Sequence, residues 1–304
     1  MRLRRVASRL ARTFTPLRSP SPGGVTVHSR HREPELNASA SFYAPDPVRP
    51  DWNSFPRQGA LGNCWIMAPM LAVYCANPEF FRDSVRLCTI HDGPKAPHQR
   101  DTNSGAHTRH FRASRADSTP GASRQYAWAR VFRRGTPVWF RLPLWFPVRA
   151  DGTWAYAVEE SSRTPGWPGL IEKAAVLCVA GSYRWAAIGL ASVGFPLVCG
   201  VSAPTLVRMP SARVFSEWLA DGRAVVASTH PLTRRWSQEL HDAATGAPLS
   251  PFPPNHVFAV TEVDLSRGFI GVRNPWRPAE LVWLSRSDMR RLFVSVNVTR
   301  TAVR

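Results

Sequence analysis

The apolar residues of this chain change their period near residue 200, and that change limits the folds open to it. Before it, the longest apolar runs have helical length, over residues 65–74, closing near Asn77-Pro78, and over 170–179. After it, residues 224–229, 256–263, 268–273 and 280–284 form short, β-branched runs bounded by turn residues, the pattern of strands. Short helices fit 214–220 and 288–293, with Ser287 placed to cap the second. In the first half only 126–132 and 137–142 read as strands. Helices first and strands afterwards argue for an α+β fold with two lobes dividing near residue 200.

The chain has 304 residues of which 44% are apolar, enough for a sizeable core and too many for wholesale disorder. Residues 1–50 carry Ser-Pro-Ser-Pro-Gly-Gly at 19–24 and no sustained period, so they read as a basic, Pro/Ser-rich disordered tail. Residues 51–200 then form a helix-rich lobe with a polar insertion at about 91–125, and 201–304 a β-rich lobe. Residues 185–207 lack charge over a length near that of a spanning helix. Gly189, Gly194, Pro196, Gly200 and Pro204 interrupt them, which favours a buried, loop-rich segment over a membrane span.

The formal net charge of +18 first suggests a nucleic acid or an anionic membrane. Its distribution argues otherwise. Residues 151–273 balance to zero, while the excess sits in the tail, in 95–150 and at the C-terminus. A nucleic-acid partner is therefore disfavoured, and an acidic partner or anionic surface remains for the Arg-rich tail. Five cysteines, an odd number, make no disulfide framework and fit a reducing, intracellular (cytoplasmic) setting. The N-terminus has Arg inside every apolar stretch and no signal-peptide core, while its Arg/Ser composition leaves mitochondrial import or non-classical secretion open.

Three separated pieces carry chemistry. Gln58-Gly-Ala-Leu-Gly-Asn-Cys64-Trp65 delivers a cysteine to a helix N-terminus, where partial positive charge is expected to lower the thiol pKa. Asn255-His256 opens an apolar strand, and Arg273-Asn274-Pro275-Trp276 closes the next strand. Adjacent antiparallel strands would set His256 beside Asn274, whose carbonyl would fix the imidazole tautomer. A nucleophilic Cys with a distant His and Asn is the general pattern of thiol hydrolases.

These stretches resemble the active-site segments of calpains, the papain-like cysteine proteases. Gln-Gly-x-x-Gly-x-Cys-Trp is similar to the calpain cysteine segment, His256-Val-Phe-Ala-Val-Thr to its histidine strand, and Val272-Arg-Asn-Pro-Trp276 to its asparagine strand. Leu170-Ile-Glu-Lys-Ala174 with Gly181-Ser-Tyr183, and Val282-Trp-Leu-Ser with Asp288 and Phe293, extend the likeness over about residues 51–295. The resemblance implies a papain-like two-lobed fold and an endopeptidase acting on protein substrates through a thioester. It makes Cys64 the nucleophile, His256 the general base and then acid, and Asn274 its orienter. Gln58 would donate to the oxyanion beside the Cys64 N–H, with Trp65 and Trp276 as supports.

The chain departs from that pattern at three places: Asn63 where the family has Asp, Asn255 where it has Gly, and Arg277 where Gly follows Asn-Pro-Trp. Calpain cores also bind calcium through acidic loops. No ligand set maps onto this acid-poor chain, so no cofactor is certain and calcium stays open. Cys88-x-x-His91 and His107-x-x-His110 have zinc-like spacing within a polar loop and read as solvated histidines. Two other functions compete: an inactive calpain-like interaction protein, and a basic binder of nucleic acid or anionic surfaces.

Overall fold

The computed structural model describes residues 26–28, 34, 36, 40–46, 48–90 and 124–304. The 1–50 tail lies largely outside these residues, as do the histidines of the 91–125 insertion.

In the first half, β1 (Thr26–His28), β2 (Phe42–Pro45) and β3 (Pro56–Arg57) lead into helix α1 (Cys64–Ala76). Every residue from Trp65 to Tyr74 is buried, so this uncharged helix is apolar all round and is enclosed on every side. A 3₁₀ segment follows, then β4 (Val85–Ile90), β5 (Arg124–Arg133), β6 (Thr136–Pro143), β7 (Trp145–Val148) and β8 (Val158–Glu159). Strands β4, β5 and β6 form an antiparallel meander with β1 parallel to β6, while β2–β7 and β3–β8 are separate two-stranded pairs. Helix α2 (Gly166–Val179) starts four residues before the apolar run suggested. Pro168 falls in its first turn, where the missing N–H would have had no helical partner, so it does not delay the start.

Residues 185–207 divide between α3 (Tyr183–Ala186), α4 (Ala191–Cys199) and β9 (Thr205–Leu206). Among the described residues no helix is long and apolar enough to cross a membrane. Burial here is only partial, against expectation. Gly189 fits against the Trp65 ring, whereas Trp185 of α3 and Ile188 and Leu190 of the loop after it are exposed. Helix α4 lies very close to α1. Pro69 donates no hydrogen bond to the Trp65 carbonyl, and Gly194 packs against that carbonyl where any Cβ would collide.

The last third contains α5 (Ala212–Ala220), β10 (Val225–Thr229), α6 (Thr233–Trp236), β11 (Val257–Asp264), β12 (Phe269–Asn274), β13 (Arg277–Leu284), α7 (Arg286–Leu292) and β14 (Phe293–Val298). These strands make one six-stranded sheet, ordered β13-β12-β11-β10-β14-β9. Helix α7 begins two residues earlier than expected and Ser285, not Ser287, caps it, accepting from Asp288 N at 3.1 Å. A cap must precede the helix to reach its third N–H, and Ser287 is already inside it.

Period-two alternation gives this sheet two buried faces. Phe258, Val260, Ile270 and Val272 meet Phe215, Met289 and Leu292 of the covering helices. Ala224, Val226, Val257 and Ala259 point the other way, into the core that surrounds α1. The helix that begins with Cys64 thus covers the inner face of the sheet that begins β11 with Val257. The architecture is mixed, in line with the α+β expectation, and the core around α1 crosses the division near residue 200.

Candidate active site

The Gln58–Asn63 loop is held by close backbone approaches. Gly59 lies against the Tyr156 and Ala155 carbonyls, and a Cβ on Gly62 would stand 2.9 Å from the Ala187 carbonyl oxygen. Gln58 N donates to Pro275 O at 2.8 Å, tying this loop to the turn after Asn274. The Gln58 side chain is buried, and its Nε2 donates one hydrogen to Leu61 O at 2.6 Å. That bond fixes the amide orientation, since Oε1 facing a carbonyl would be repulsive, and it leaves the second Nε2 hydrogen uncommitted.

Cys64 is the first residue of α1, and the backbone N–H groups of Val257, Trp65 and Cys64 itself lie near enough to favour its thiolate. Burial nevertheless pushes the thiol above its ordinary value, and these three donors offset only part of that rise. The expectation of a lowered thiol pKa from the helix end alone is corrected accordingly. Loss of water around the sulfur outweighs the dipole in the resting site. Trp65 is buried, and its Nε1 donates to Ala186 O at 2.9 Å, anchoring the first turn of the helix to the α3 segment.

His256 and Asn274 come together as the strand pairing suggests. His256 Nε2 lies 2.9 Å from Asn274 Oδ1. That oxygen also accepts from Trp276 N at 3.0 Å. The Trp276 ring covers the imidazole with centroids 4.2 Å apart, shielding the bond from water. Because an amide oxygen can only accept, the proton resides on Nε2, leaving Nδ1 free to take another. Burial lowers the His256 pKa to about 4, partly opposed by the bond to Asn274, so the ring is neutral near pH 7. Thr229 clamps the backbone of this residue: its Oγ1 accepts from His256 N at 2.9 Å, and its N donates to His256 O at 2.8 Å.

Two departures from the calpain pattern have structural counterparts. Asn255 adopts φ 51°, a left-handed conformation that Asn tolerates better than most residues other than Gly. Asn63 Nδ2 donates to Glu172 Oε1 at 2.7 Å, deep in the interior. Burial raises the Glu172 pKa to about 7, opposed by that bond and by Ala157 N. An aspartate at position 63 would set a second carboxylate against this one. The Asn63–Glu172 pair, Thr229 and the Val257 N–H escaped the sequence reading. Only the Glu-Lys-Ala stretch drew attention to Glu172, and no local pattern marked the other contacts.

A calcium site requires several converging oxygen ligands. Among the described residues no three His, Cys, Asp or Glu side chains converge to hold a metal ion. Asp242 is occupied by Ala244 N, Thr245 and Trp283 N, and Asp264 by Ser266 and Arg267. Among the described residues these two carboxylates are therefore taken up by local donors rather than turned toward a shared cation. All five cysteines are unpaired by disulfides. Compared with known proteins, the chain matches no family model and no curated relative.

Proposed function

We propose that this chain is a papain-like, calpain-type cysteine endopeptidase using Cys64, His256 and Asn274. The observation that carries the reading is His256 held through Nε2 by Asn274 Oδ1 under Trp276, while the N–H of the following residue, Val257, lies near enough to the Cys64 sulfur to favour its thiolate. The two lobes of that reading are the α1-centred first half and the six-stranded sheet.

With thiol and imidazole both neutral at rest, the Cys64 proton passes to His256 Nδ1 as the sulfur attacks the scissile carbonyl. Asn274 keeps the ring in place as it becomes cationic. The Cys64 N–H and the second Nε2 hydrogen of Gln58 stabilise the oxyanion, each such donor being worth about 10²–10³ in rate. The tetrahedral intermediate collapses to a thioester as His256 protonates the departing amine. Water, deprotonated by His256, then releases the acid and restores the thiol. Free thiols accord with an intracellular site of action for such an enzyme.

Native protein treated with iodoacetamide is expected to label Cys64 faster than Cys75, whose thiol burial pushes up to about 12. Cys64→Ala should abolish casein cleavage without changing the melting temperature. Cleavage that survives in Cys64→Ala would overturn the assignment.

A further inference from the structure

A cleft of about 620 Å³ runs off the candidate active site, and its lining joins Gln58, Gly59 and Trp276 to Trp154, Tyr156 and three arginines, Arg57, Arg149 and Arg163. Among the described residues no acidic side chain lines it. Glu160, just behind the wall, is shared between Arg57 at 2.9 Å and Arg163 at 3.2 Å, so one carboxylate faces two guanidinium groups. Arg149 has no ion-pair partner among the described residues, although Asp151 lies near enough to feel its charge. The wall therefore keeps a positive excess beside an aromatic floor. Its three arginines lie between residues 57 and 163 and not in the basic tail.

On the protease reading, a substrate held at Cys64 and covered by Trp276 continues into this cleft, because Gln58 and Trp276 border both. We infer that the cleft selects substrates by binding a peptide segment carrying Asp or Glu side chains next to the scissile bond. Carboxylates match the guanidinium fork in geometry and charge. The aromatic residues cover the intervening backbone and apolar side chains. Lysine or arginine at the same place would meet like charge, which adds rejection to attraction. Arg149 and Arg163 are both exposed, so their attraction is modest and screened by salt.

The test uses full-length Cys64→Ala protein, which binds without cleaving, and two fluorescein-labelled hexapeptides, one alternating Ala and Glu and the other alternating Ala and Gln. Fluorescence anisotropy at low salt is expected to show the Glu peptide bound about tenfold more tightly. The Arg149→Glu/Arg163→Glu double variant should bring that ratio to about one. Equal affinity for the two peptides overturns the inference. So does a preference that persists in the double variant, since it would then belong to the tail or another basic surface. Because no turnover is read, an inactive wild-type enzyme with an intact Glu preference would sink the protease reading and leave the cleft as an acidic-peptide site. In an active enzyme, cleavage of a peptide library should enrich Asp and Glu on one side of the cut site.

Discussion

The two sides of the candidate site are positioned by different physics. On one side, Cys64 depends on steric closeness: Gly59 and Gly62 against carbonyls, Gly189 beneath the Trp65 ring, and Gly194 against the Trp65 carbonyl. On the other, His256 and Asn274 depend on strand register and hydrogen bonds, with Ala259 opposite Arg273, a bulge just before Asn274, and Thr229 holding the His256 backbone. Packing of the first kind is spread over residues far apart in the chain and fails when a methyl group is added. Register of the second kind is local, and it fails chemically before it fails structurally.

The largest effect expected from this contrast is on turnover. His256→Ala should lower kcat/KM about 10²–10⁴-fold, the usual worth of a general base. Its folded state should still form, because the strands and the Thr229 clamp on the backbone remain. Peptide cleavage and circular dichroism check this, and a variant that loses both together would erase the distinction.

Proton linkage gives the next effect, with opposite signs on the two sides. Burial raises Glu172 from 4.5 to about 7, so the folded state holds this proton more tightly than the unfolded chain does. Its contribution to stability is present below about pH 4.5 and is lost as pH rises through about 7. Burial lowers His256 from 6.5 to about 4, so its contribution is present above about 6.5 and is lost as pH falls through about 4. Relative to wild type, Glu172→Gln should therefore gain stability as pH rises across 4.5–7, and His256→Ala should lose it across 4–6.5. Each trend is on the order of 3 kcal/mol. Urea titrations at half-unit pH steps check the two slopes, and slopes of the same sign would contradict the burial argument.

Last comes Gly194→Ala. Its added methyl must push α4 away from the Trp65 carbonyl, costing about 1–3 kcal/mol of stability. Turnover should fall with it, because the displaced residue adjoins Cys64. An unchanged melting temperature would mean that the packing around α1 is looser than the contacts indicate.

The meeting of His256 with Asn274 under Trp276, and of the Gln58 loop with the turn after Asn274, was legible in the sequence because each residue sits in a short, distinctive word. Strands β10 to β13 were legible too, since they alternate or cluster apolar residues over five to eight positions, whereas β2, β4, β7 and β14 were not read. Boundaries were less so. The starts of α2 and α7 shifted because Pro168 and Ser285 act through helix-end geometry rather than through composition. The segment around 185–190 looked buried on apolarity alone, yet exposure there depends on which residues face Trp65.

The basic balance illustrates the division most clearly. Sequence determined how many charges the chain carries, the strand runs of the last third, and the residue words around Cys64, His256 and Asn274, since all of these are properties of neighbouring residues; the eight strands described before residue 200 broke the expected helix-then-strand order. Tertiary structure decided the protonation of the site, because burial is set by every element packed around a group. It also decided that Asn63 meets Glu172 across 109 positions. And it brought Arg57, Arg149 and Arg163 from three separate segments to one wall of one cleft, where a local charge excess has a direction that no count of residues contains.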